Sequence, residues 1–313
     1  MRKHFIFAVG ILMLVLIGVV FAEGFDIAVL LPGTVEFFSV ERRGMDKAAE
    51  EFGLNLIYAD AEWDAGKQLA QVENFIARNV DLILLCAADN LALRTAVTRC
   101  NEAGIPIIAF TNTIGTDPYG RYPGIVSYVG RSDLEAGIVL GKIAESIFED
   151  ESETVDIVLI EGNPGTAPQR MREEGFMQVA DKHPNWNIVD KRPIDGWTKE
   201  GALAFMEAFL QSGRHVDLVA CQWWSGAIAA AMALKEKGID DVYVIGLEFA
   251  KEIIPYIESG EVYATTYFSV VEEGYKAVET AYKYLSGEEV PEYVLIEQTI
   301  VTKDNLKNFE PEM

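Results

Sequence analysis

Histidine chemistry has little to work with in this chain. Of the three histidines, His4 lies in a basic N-terminal start, His183 precedes Pro184 at a predicted helix exit, and His215 precedes a predicted strand. None of these placements suits a His-based triad or a histidine metal site. No GxSxG, HExxH, Walker loop or GxGxxG occurs, so nothing calls for a cofactor. Glu36 and Glu248 could form a glycosidase-like carboxylate pair if they faced each other, but nothing in the sequence gives them the two different environments such a pair needs. Binding chemistry is abundant instead. Phe37-Phe38, Trp197 after Gly196, and Trp223-Trp224 supply rings, and Asp89, Thr111, Asn112 and Gln222 supply short polar groups. Rings suit the C–H faces of a small molecule, and carboxylates and amides suit its hydroxyls. Each residue also has a structural use: Asp89 or Glu248 can cap a helix, and one residue of each aromatic pair can be core.

The elements that must position these residues come twice. Gly44–Asp60 is echoed by Gly175–Asp190, Asp64–Cys86 by Trp197–Cys221, and Cys100–Phe110 by Leu234–Glu248. Each segment reads as an amphipathic helix running into a short apolar strand. The first half reads as strands at Asp26–Leu31, Leu54–Ala59, Leu82–Cys86, Pro106–Phe110 and Ile125–Val129. The second half reads as strands at Val155–Ile160, Trp186–Val189, Leu218–Cys221, Val242–Gly246 and Tyr263–Tyr267. Strand–helix alternation implies α/β lobes with parallel sheets, and ligands of such sheets lie beyond the carboxyl ends of the strands. Those ends are the segments 32–38, 60–63, 87–90 and 111–112 in one lobe, and 161–166, 195–197, 222–224 and 248–250 in the other. Two facing lobes create a cleft between them.

The start of the chain reads as an export signal. Arg2-Lys3-His4 precede an apolar run from Phe5 to Phe21, and Val20-Phe21-Ala22 places cleavage after Ala22, giving residues 1–22 as the signal. The run is also long enough for an anchor. Location outside the cytoplasm, periplasmic or extracellular, is therefore expected. The formal net charge of −23 disfavours nucleic acids and anionic membranes as partners. Cys86, Cys100 and Cys221 lack CxxC spacing and read as buried free thiols.

Several stretches carry a resemblance. They are Phe37-Phe38 with Gly44-Met45-Asp46-Lys47-Ala48-Ala49, Asp64-Ala65-Gly66-Lys67-Gln68 and Asn101-Glu102-Ala103-Gly104-Ile105-Pro106 in the first half. Glu161-Gly162-Asn163-Pro164-Gly165-Thr166, Arg170…Glu174-Gly175-Phe176 and Val244-Ile245-Gly246 follow in the second. In order and spacing, from about Phe25 to Leu295, the chain resembles periplasmic sugar-binding proteins of the ribose-binding type, the receptors of ABC importers. The resemblance implies a type I periplasmic binding protein: two Rossmann-like lobes with three hinge crossovers, near Arg131, Phe268 and Glu297. It implies lobes of residues 25–131 with 269–297, and 132–268 with 298–313. It further implies a monomeric receptor for a sugar or other polyhydroxylated molecule, with a membrane permease as partner. The ligand residues it implies are Glu36, Phe37, Phe38, Thr111, Asn112, Arg170, Trp197, Trp223, Trp224, Glu248 and Phe268, and the strand-end reading adds Asp89 and Gln222. Departures from the family pattern are Val35-Glu36 for Asn-Pro, Trp223-Trp224 for Asn-Asp and Phe268 for Gln. They exchange polar contacts for aromatic surface and argue against a plain pentose. An organic cation held by rings and carboxylates, a furanose-like signal molecule and a chemosensory role stay open. Sugar-sensing regulators of the lactose-repressor type share the lobes, but the acidic charge and export signal oppose that reading.

Overall fold

The computed structural model describes residues 24–150 and 152–313, and the expected signal segment lies outside the described residues. Along the chain run β1 (Asp26–Leu31), α1 (Glu36–Phe52), β2 (Asn55–Asp60), α2 (Ala65–Ala77), β3 (Leu82–Leu85), α3 (Arg94–Ala103), β4 (Ile107–Phe110) and β5 (Ser127–Gly130). Next come α4 (Asp133–Ile147), β6 (Val155–Glu161), α5 (Ala167–Ala180), β7 (Trp186–Pro193), α6 (Lys199–Gln211), β8 (Leu218–Cys221) and α7 (Trp224–Lys237). The chain continues through β9 (Tyr243–Ile245), α8 (Ile254–Ser259), β10 (Ala264–Tyr267), α9 (Val270–Leu285), β11 (Tyr293–Leu295) and β12 (Thr299–Thr302). Among the described residues no helix is long and apolar enough to cross a membrane.

Two six-stranded sheets form, ordered β11-β5-β4-β3-β1-β2 and β12-β10-β9-β8-β6-β7. Apart from the antiparallel β10–β12 pair, all described pairings are parallel. The central strands Ile27–Leu30, Leu82–Leu85, Ile157–Ile160 and Leu218–Cys221 have no exposed surface. Continuous apolar runs of this kind are what a sheet covered by helices on both faces demands.

The chain passes between the sheets three times, at Arg131–Ser132, Phe268–Ser269 and Ile296–Gln298. At the first two crossovers a serine caps the next helix. Ser132 Oγ accepts from Glu135 N (3.2 Å) and Ser269 Oγ from Glu272 N (3.0 Å). These two crossovers are thus short segments between a strand end and a capped helix, and the third joins β11 directly to β12. The packing echoes the sequence repeat. A Cβ at Gly44 would lie 1.9 Å from Val271 O, and one at Gly175 would lie 2.1 Å from Leu134 O. The pairs α1–α9 and α4–α5 therefore each close over a glycine.

The three thiols are free and buried. Of the expected strands, Asp26–Leu31 and Leu218–Cys221 appear with the same bounds, and the others shift by a residue or two at their ends, except β7. It runs to Pro193 because its outer residues, Asp190-Lys191-Arg192, lie on an exposed edge and carry no apolar signal. Strands β11 and β12 were not foreseen; each has only three or four residues at a sheet edge.

Candidate ligand-binding site

A cavity of about 290 Å³ lies between the two sheets, beyond the carboxyl ends of their strands. Its first wall comes from Thr34–Phe38 after β1, Trp63 after β2, Thr111-Asn112 after β4, and Arg131 at the first crossover. The second wall comes from Pro168 and Arg172 of α5, Gly196–Thr198 after β7, Trp223–Ser225 after β8, and Glu248 after β9.

Six described non-glycine residues have positive φ. Four of them line the cavity: Trp63 (62°), Thr111 (54°), Trp197 (57°) and Glu248 (71°). Such conformations each cost about 1–3 kcal/mol and collect where a ligand is gripped. Here the strain follows from sharp turns at strand ends, which aim side chains into the cleft. The two single tryptophans are supported alike. Trp63 lies on Gly33, where a Cβ would sit 2.4 Å from the indole, and Trp197 lies on Gly162, where it would sit 1.9 Å away. Both glycines directly follow the first strand of their sheet or the residue after it, so the repeat places one ring in each wall. Trp197 meets Trp223 edge-on at 5.6 Å, and Phe38 meets Phe37 at 5.3 Å and Trp63 at 6.2 Å.

A buried charged network closes the crossover end of the cavity. Glu248 Oε1 accepts from Arg172 Nη1 (3.0 Å) and Arg131 Nη2 (3.4 Å). Arg172 Nε also bonds Asp133 (2.9 Å), and Arg131 Nη1 bonds Glu273 (3.0 Å). Behind them Thr111 Oγ1 donates to Glu41 at 2.5 Å. Burial opposes the charge on Arg131, but the carboxylates of Glu273, Asp133 and Glu248 outweigh it and raise its pKa. Burial pushes the Glu273 carboxyl up to about 7 against the pull of Arg131. Burial and the nearby Glu273 carry Glu41 well above the usual range, against Thr111 and Arg131. The rim residue Glu36 is raised by partial burial and by Glu252, against Arg43.

The structure brings Glu36, Phe37, Phe38, Thr111, Asn112, Trp197, Trp223, Trp224 and Glu248 to the cavity wall. Four expected residues stand elsewhere. Arg170 is off the wall and Arg172 takes the place expected of it, because residues two apart on a helix point about 200° apart. Asp89 caps the turn before α3 through Leu91 N and Ala92 N, both at 2.8 Å. Gln222 is fully buried and ties the end of β8 to the end of β6 and to α5, accepting from Gly162 N (2.9 Å) and donating to Gln169 O (3.0 Å). Phe268 forms a second row, with Arg131 Cζ 3.8 Å from its ring centroid and Phe37 at 6.1 Å. Glu248 joins both walls through the two arginines rather than capping a helix. Sequence reasoning missed Arg131 and Arg172 as wall residues, and placed Trp63 in the cleft segment 60–63 without naming it a ligand residue. Trp63 had a signal, since it ends the loop after the second strand as Trp197 does in the other lobe. His183 and His215 pair instead with Glu145 and Asp217, both at 2.8 Å, outside the cavity.

The chain is similar to known proteins over most of its length. It is 28% identical to the ribose import binding protein RbsB of Escherichia coli K12, over 85% of this chain and 86% of that one. It is 25% identical to a xylitol-binding protein of Mycolicibacterium smegmatis, over 86% and 75% respectively. Among solved structures it matches an ABC transporter solute binding protein from Bacillus halodurans with bound myo-inositol. That match has a TM-score of 0.84 and 27% identity, covering 93% of this chain and 99% of the other. The family model of the periplasmic binding protein domain matches residues 27–289, and the chain belongs to that family.

Proposed function

We propose that this protein is an exported solute receptor that captures a sugar or related polyol between its lobes and delivers it to an ABC importer permease. The observation that carries this reading is the cavity itself. Aromatic rings from both walls share the cavity with one buried carboxylate, Glu248, that is tied to Arg131 at a crossover and to Arg172 of α5. Rings can take the C–H faces of a polyol, while Glu248 and the arginines take its hydroxyls. The relatives' names and the bound molecule of the solved structure speak of ribose, xylitol and myo-inositol, which share that chemistry. The family and these relatives are binding proteins rather than enzymes.

In this reading residues 25–131 with 269–297 form one moving body, and 132–268 with 298–313 form the other. A ligand touching both walls stabilises the closed arrangement, which the permease then recognises. The protein acts as a monomer and is secreted after removal of residues 1–22. N-terminal sequencing of the native protein from a non-cytoplasmic fraction should begin near Glu23. Retention of Met1 in the cytoplasm would count against export.

Removing the Trp197 ring tests the site. Trp197→Ala is expected to weaken polyol binding by about 1–3 kcal/mol, because it deletes a stacking face that also excludes water. Gly162→Ala should lower affinity in the same direction while keeping the ring, because its methyl would lie 1.9 Å from the indole and push it out of place. Calorimetry against a polyol identified by thermal-shift screening reads both. Unchanged affinity in the two variants would remove Trp197 from the ligand contact surface.

A further inference from the structure

The charged network behind the cavity is short of cations. Four carboxyls, Glu41 of α1, Asp133 of α4, Glu248 after β9 and Glu273 of α9, share the guanidiniums of Arg131 and Arg172. None of the six residues is more than 8% exposed. With every carboxyl ionised the cluster has a formal charge of −2. The other titratable groups against it are Tyr128 of β5, Tyr293 of β11 and Cys86 after β3, all held neutral by burial. They bring no positive charge. The shortage shows in the hydrogen bonds as well. Glu41 Oε2, Asp133 Oδ2 and Glu273 Oε1 are buried with no partner among the described residues. A buried carboxylate without a partner is costly, and a proton removes its charge.

The cluster also straddles the crossovers. In the lobe division proposed above, Glu41, Arg131 and Glu273 belong to the first lobe, and Asp133, Arg172 and Glu248 to the second. Each half has two carboxyls and one guanidinium. The ion pair that joins them is Arg131–Glu248, at 3.4 Å. With the lobes apart, water reaches both halves and Arg131 serves Glu41 and Glu273 alone. With the lobes together, two negative halves meet in a medium of low dielectric and repel.

We propose that ligand capture takes up a proton: closing the lobes joins two negative half-clusters behind the cavity, and a proton on Glu41 or Glu273 relieves their repulsion. This inference rests on the receptor reading above. Burial raises both carboxyls in the joined arrangement, Glu273 to about 7. The closed form therefore keeps a proton at a pH where the open form, its carboxyls wetted, has released it. The bound state holds more protons, so affinity is highest at acid pH and falls as pH rises toward the closed-state value.

The test is calorimetry of the mature protein with ribose, xylitol and myo-inositol at pH 5.5, 6.5 and 8, repeated at pH 6.5 in two buffers of different ionisation enthalpy. For a probe that binds, the heats in the two buffers should differ by the equivalent of roughly 0.5–1 proton taken up per ligand, and Kd should rise about tenfold from pH 5.5 to 8. Glu41→Gln keeps an acceptor for Thr111 Oγ1 and removes one charge. It should lessen both effects and bind more tightly than the parent at pH 8. Glu36→Gln is the control for a titrating carboxylate on the cavity wall and should retain the proton uptake. The buffer comparison on the unaltered protein decides the matter even where the Glu41 variant does not fold. If a probe binds with equal heats and a flat Kd, the inference fails and the receptor reading stands. The same holds if Glu41→Gln leaves the uptake unchanged or Glu36→Gln abolishes it. If none of the probes binds at any pH, the inference and the receptor reading fall together.

Discussion

Arg172→Ala is expected to destabilise the protein by about 3–5 kcal/mol, the loss that follows when one partner of a buried ion pair is removed. Arg172 is 2% exposed, and its guanidinium bonds Asp133, Glu248 and the Gln222 carbonyl. Without it Asp133 loses its described cationic partner, and one of its oxygens, Oδ2, already has none. The N-terminus of α4, where Asp133 lies, offsets only part of that charge. Glu248 would keep only the longer 3.4 Å contact with Arg131. Arg172→Lys should recover little, because a single ammonium cannot serve Asp133, Glu248 and a carbonyl at once. Urea unfolding reads the loss directly. Arg170→Ala, on the same helix but off the cavity wall, is the control and should cost less. Equal losses in the two alanine variants would mean that the buried network is not anchored on Arg172.

Glu41→Gln should stabilise the protein at pH 8 and flatten its stability between pH 5 and 8. Glu41 and Glu273 are both fully buried near Arg131; burial raises both carboxyls, and the nearby Glu273 raises Glu41 further. The sign follows from proton uptake. Unfolded glutamates lose their protons near 4.5, whereas folded Glu273 keeps its proton to about 7. The folded state therefore holds more protons in that window, and stability falls as pH rises through it. The shift of Glu273 corresponds to a loss on the order of 3 kcal/mol at 1.36 kcal/mol per pKa unit. Glu41, also raised well above the usual range by burial and by Glu273, adds to that loss. Glutamine at position 41 keeps an acceptor for Thr111 Oγ1 and removes the like charge from Glu273. Urea unfolding at pH 5, 7 and 8.5 compares the two proteins. Parallel pH profiles would show that the pair does not titrate in this range.

The order of elements and the repeat were legible in the chain because buried parallel strands must be continuous apolar runs between amphipathic helices. That requirement writes β1, β3, β6 and β8 plainly, since each is covered on both faces. Strands β11, β12 and the outer half of β7 were not legible. They lie toward sheet edges, half-buried or exposed apart from Val301, and their pairing is decided by neighbours far along the chain.

The aromatic part of the cavity was likewise readable, because rings that follow strand ends in an α/β lobe have few other places to go. The polar part was not. Arg131 is one charged residue in a short crossover, and its partners Glu248 and Glu273 lie 117 and 142 positions away. Choosing Arg172 over Arg170 depends on the rotation of α5 against its neighbours, since two residues along a helix reverse the direction of a side chain. By itself, then, the sequence determined two α/β lobes, the loops that face each other and a ring-lined cleft, all of which follow from local periodicity and strand-to-helix order. Which charges meet in that cleft, and that Glu41 and Glu273 are buried together near one arginine, only the tertiary structure decided, because burial and long-range pairing are properties of the packed chain and not of any one segment.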